Sequence, residues 1–140
     1  MEKITKTEEK NGLYQKDVYD TFRSKVLKNK FKLQSILLRL RKQGQKIVGI
    51  GAPAKGNTLL NYCNINSDIL EYIAETSELK IGKFTPGMHI PVVEESRIFS
   101  DNPGYALLLS WNIKEILIPK LKQSGYKGKF VIPNPLPKIM

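Results

Sequence analysis

The chain has 140 residues, 41% of them hydrophobic, which suits one domain with a packed core. It contains no apolar run near 20 residues and one cysteine, Cys63, which excludes an internal disulfide and a cysteine-cluster zinc site and leaves no expectation of a membrane span. The formal net charge of +10 argues for an anionic partner: phosphates, nucleic acid or an acidic protein face.

Residues 1–15 are polar, lack the apolar stretch of a secretory signal and read as a flexible arm, with 16–140 as the folded domain in a reducing cytoplasm. From Asp17 onward Val18, Phe22, Val26, Leu33, Leu37 and Leu40 recur at multiples of three and four, the stripe of a long helix that Gly44 stops. No acidic residue lies between Asp20 and Asp68, whereas Arg23, Lys25, Lys28, Lys30 and Lys32 crowd this helix. That is either an anion-seeking surface or a solvated helix face, and the lack of interleaved aromatic residues argues against single-stranded nucleic acid. KIVGI (46–50) reads as a buried strand and 54–63 as a helix, with Pro53 suited to its first turn. ILEYIA (69–74) is expected as a second strand. Residues 75–104, punctuated by Gly and Pro, are expected as loop with a short strand or turn near 97–99. YALLLSW (105–111) is the most apolar strand. Asn112 suits the cap of a helix, IKEILIPKLKQSG, which Pro119 is expected to kink. KFVIP (129–133) is a last strand and NPLPKIM a tail. The alternation predicts a three-layer, Rossmann-like α/β fold: an open parallel sheet of four to five strands preceded by a long helix. Such sheets bind ligands beyond the carboxyl ends of their strands, where Gly51–Thr58, the 75–91 loop and Trp111–Asn112 would meet.

The stretch GIGAPAKGNT (49–58) carries the chemistry. A helix start has four N–H groups without helical partners and a partial positive charge, so it attracts phosphate wherever the backbone can approach closely. Gly49, Gly51 and Ala54 satisfy the permissive dinucleotide pattern G-x-G-x-x-A, and Glu71 and Glu75 lie where an acid can hold a ribose hydroxyl. Lys55 adds charge; Asn57 and Thr58 add donors. The order Lys55-Gly56-Asn57-Thr58 is not that of a Walker A loop. A tight turn with relief of crowding by glycine is the competing explanation.

GIGAPAKGNTLLNY, KIGKFTPGMHIPV and YALLLSWN, in this order, resemble the C-terminal Rossmann-like domain of SAM-dependent sugar C-methyltransferases, from about Gly12 to the end of the chain. The resemblance implies a bacterial enzyme that methylates a carbon of a deoxy-sugar nucleotide. In that family a zinc-carrying N-terminal domain and a SAM-binding domain precede this one, which helps form the nucleotide-sugar pocket and packs on the SAM-binding domain in cis or in trans. Carried onto this chain, the implied contacts are Gly51, Ala52, Pro53, Ala54, Lys55, Gly56 and Asn57 at the helix start. Lys80, Gly82, Gly87 and His89 belong to a lid-like loop, and Trp111 and Asn112 to the next strand end. The chain has no second glycine-rich turn and no Tyr/His/Glu constellation, so no cofactor is expected in this domain and no catalysis from it alone. Two alternatives stay open: an independent module for NAD or coenzyme A, and a basic docking or nucleic-acid-binding domain.

Overall fold

A computed structural model describes residues 2–140. In chain order the elements are α1 (Glu2–Lys10), α2 (Lys16–Lys42), β1 (Ile47–Ile50), α3 (Ala54–Tyr62), β2 (Ile73–Glu75) and β3 (Val92–Glu94). Then follow α4 (Arg97–Asp101), β4 (Tyr105–Leu108), a 3-10 turn (Trp111–Ile113), α5 (Lys114–Gln123), β5 (Lys129–Ile132) and β6 (Lys138–Ile139). They build one sheet in the order β3-β2-β1-β4-β5-β6, parallel except for the antiparallel β6. This is the expected open, Rossmann-like α/β architecture.

Side chains alternate across a strand, so a sheet covered on both faces needs apolar residues at successive positions. All four residues of β1, IVGI, are buried for this reason. One face carries Ile47, Ile73, Leu107 and Val131 against Leu33, Leu37 and Leu40 of α2 and Leu60 of α3. The other carries Val48, Ile50, Leu108, Phe130 and Ile132 against Ile98 of α4 and Leu121 of α5. The order reverses between β1 and β4, whose register pairs Ile47 with Tyr105 and Ile50 with Leu108. The crevice between these strands is where an open α/β sheet takes ligands.

Several expectations change. Residues 2–10, read as a flexible arm, are helical, with no buried residue. The second strand spans 73–75 rather than 69–74, because Leu70 N–H bonds back to Asn66 C=O and closes a turn there. Within 75–104 the strand lies at 92–94, paired with β2, and 97–101 is helical. The tail supplies β6: Phe130 and Met140 exchange both backbone hydrogen bonds, which brings the sheet to six strands. Asn112 lies in the 3-10 turn and does not cap α5, whose start has no side-chain cap. The chain stays helical through Pro119.

Candidate functional site

The site begins where β1 ends. Gly51 N–H still bonds Ala74 C=O at 2.8 Å, and its φ of +77° turns the chain out of the sheet. A side chain there would strike the Ser110 hydroxyl beyond β4. Ala52 N–H donates to Glu75 Oε2 at 2.8 Å. Pro53 (φ −76°, ψ 157°) leads into α3 without a side-chain cap. The first helical bond runs from Asn57 N–H to Pro53 C=O, so the N–H groups of Ala54, Lys55 and Gly56 have no partner among the described residues. The helix dipole adds positive potential at these donors.

Gly49 and Gly56 serve packing. A Cβ on Gly56 would lie 2.8 Å from Leu109 Cβ, and one on Gly49 would lie 2.9 Å from Ile73 Cγ1. The small size of Gly56 lets α3 sit tightly on Leu109, which fixes where the free donors point, and Gly49 makes room on the sheet for the Ile73 side chain.

Beside the start of α3 lies a cleft of about 480 Å³, lined on one side by Ala52, Pro53, Ala54, Asn57 and Thr58 and on the other by Lys80, Lys83 and Phe84. That size falls in the range of small-molecule sites, roughly 300–1,000 Å³. The far wall belongs to the loop expected as a lid, and this loop is held down. Thr85 and Ile90 pair through Thr85 N–H to Ile90 C=O at 2.9 Å and Ile90 N–H to Thr85 Oγ1 at 3.0 Å. Asn61 Nδ2 on α3 donates to Pro86 C=O at 3.0 Å, and Gly87 leaves room for that amide.

Glu75 organises the near wall. Its Oε1 accepts the N–H groups of Thr76 at 2.8 Å and Ser77 at 3.2 Å, while Oε2 takes Ala52 N–H and stands 3.6 Å from Lys80 Nζ. Burial pushes this carboxyl upward, but those three N–H groups and the Lys80 charge outweigh it, and its pKa lies below the usual value. The residue expected to hold a ribose is thus engaged in tying β2 to the Gly51–Pro53 turn.

The remaining candidates are placed as follows. Lys55 turns away from the cleft, with Nζ 5.1 Å from the centre of the Trp111 ring. Gly51 and Glu75 border a smaller cavity of about 220 Å³ toward α5, which they share with Pro53, Lys80 and Ser110. Gly82 makes a turn at φ +80° with open space around it. His89, at φ 55°, is exposed and stacks on Phe84. Asn112 is exposed. So Ala52, Pro53, Ala54, Asn57, Thr58 and Lys80 share one cleft, and Gly49, Lys55, Gly56, Gly82, Gly87, His89, Trp111 and Asn112 do not line it. Sequence reasoning missed Phe84 and Ser110 as neighbours of the site; an aromatic residue between Lys83 and a Pro-Gly turn was the available signal for the first.

Among the described residues no group of three or more His, Cys, Asp or Glu side chains is placed to hold a metal, so the zinc implied by the resemblance does not fit here. No helix of the described residues is long and apolar enough to cross a membrane.

Fold and site together define a Rossmann-like α/β domain with an open helix start facing a lysine-bearing loop at its switch point. Comparison with known sequences supplies the family. Residues 1–135 match the family described as C-methyltransferase C-terminal domain, and the chain belongs to that family. It is 34% identical over 98 residues to C-methyltransferase NovU of Streptomyces niveus, a match covering 69% of this chain and 23% of that longer protein.

Proposed function

We propose that this domain forms the diphosphate end of the sugar-nucleotide pocket of a SAM-dependent C-methyltransferase, in a bacterial cytoplasm, and that it does not methylate alone. The reading rests on one observation: three adjacent main-chain donors, Ala54, Lys55 and Gly56, are unpartnered at the start of a helix bordering a cleft. A diphosphate supplies acceptors for these N–H groups, and its charge is stabilised by the dipole and by Lys80 and Lys83. SAM, which donates the methyl group, and any zinc belong in this reading to the remainder of the enzyme.

The engagement of Glu75 favours a sugar nucleotide over NAD or coenzyme A. A dinucleotide domain uses this acid on the adenosine ribose, and here its lone pairs face backbone N–H groups and Lys80. The test is a titration of isotope-labelled protein with a deoxy-sugar nucleotide. The amide signals of Ala54, Lys55 and Gly56 are expected to move most. Signals unmoved at millimolar ligand would overturn the proposal.

A further inference from the structure

Phe84 stands out among the exposed aromatic residues because it borders the cleft, with 54% of its surface open. The His89 imidazole covers one side of its ring, with centroids 4.5 Å apart and planes 13° from parallel. Both residues belong to the turn fixed by Thr85, Ile90 and the Asn61–Pro86 bond, and Phe84 is itself bridged to Pro91. A flat aromatic surface is therefore held in place before any ligand arrives, which lowers the ordering cost of binding.

We infer that Phe84, backed by His89, is the stacking platform for the nucleobase, with Lys83 and the start of α3 holding the phosphates beside it. This rests on the proposed function above and adds the orientation of the ligand. A sugar nucleotide has two ends. The sugar carbon must reach a methyl donor, and this chain has no second glycine-rich turn beside the one assigned to the phosphates, so in this reading the sugar end points out of the domain. The base end remains in the cleft, where the available flat apolar surface is Phe84. Stacking on a ring tolerates any base, since every base has a π face.

The experiment compares inorganic pyrophosphate, thymidine diphosphate and guanosine diphosphate by calorimetry on the 140-residue chain, as wild type, Phe84→Ala and Phe84→Trp. The expected result is a nucleoside diphosphate that binds about tenfold more tightly than pyrophosphate. Phe84→Ala should cut that advantage below about twofold and leave pyrophosphate affinity unchanged, and Phe84→Trp should retain it. Exposure of Phe84 means that both variants should melt as the wild type does. If neither nucleoside diphosphate exceeds pyrophosphate, or if the advantage survives Phe84→Ala, the platform is wrong while the diphosphate site stands. If no probe binds, pyrophosphate included, the diphosphate site fails and the platform with it.

Discussion

Glu75 shows how one residue can look like a ligand contact in the sequence and act as an internal brace in the fold. Its spacing from the glycine turn suits a ribose-binding acid, but the carboxylate meets three backbone N–H groups and Lys80 first. Its folded pKa is lowered, so its contribution to stability is present above the unfolded value, about 4.3, and is lost as pH falls through the folded value. Glu75→Gln should therefore melt below the wild type at neutral pH, and the gap should close in acid. Thermal melts from pH 7 to pH 3 check this; a gap independent of pH would mean that the charge does not hold the turn. Gly56 and Lys55 were both legible as members of the motif, but their roles were not. A Cβ clash with Leu109 and a cation–π contact with Trp111 depend on atoms more than 50 residues away in the chain.

Helix α2 has two different halves. Leu33, Leu37 and Leu40 are buried under the sheet, whereas Phe22, on the same apolar stripe, is 65% exposed. Leu37→Ala should cost about 2–5 kcal/mol through lost burial and a cavity. Phe22→Ala should change stability by no more than about 0.5 kcal/mol, as a surface substitution does. Urea denaturation of the two variants separates them, and equal losses would show that the first half of α2 is packed. The helical period was readable across the whole of α2, because periodicity reports which face is apolar. What covers that face was not, because this depends on where the sheet ends. The same limit explains the elements placed wrongly. β3 and β6 are short, with three and two residues, too few for a period-two pattern to stand out. Each is a strand because a neighbouring edge, β2 or β5, offers it backbone partners.

At the scale of the whole molecule, β6 closes one side of the sheet. Deleting residues 138–140 removes the paired bonds between Phe130 and Met140 and leaves β5 as an open edge. The Phe130–Met140 pair alone, at about 0.5–1.5 kcal/mol per bond, predicts a loss of at least about 1–3 kcal/mol, to which the Ile132–Lys138 pairing adds, read as a lower melting temperature with the far-ultraviolet spectrum retained. An unchanged melting temperature would show that β6 adds nothing to the sheet. The strand–helix frame of β1, α3, β4, α5 and β5, its parallel arrangement and the position of the glycine turn before α3 were set by the sequence alone. Those properties follow from local patterns: apolar runs, helical period, and glycine beside a helix start. Which donors stay free, which acid is engaged and that Phe84 lines the same cleft as the start of α3 were decided by the tertiary structure. They are contacts between segments far apart in the chain, and local patterns do not encode the distances between them.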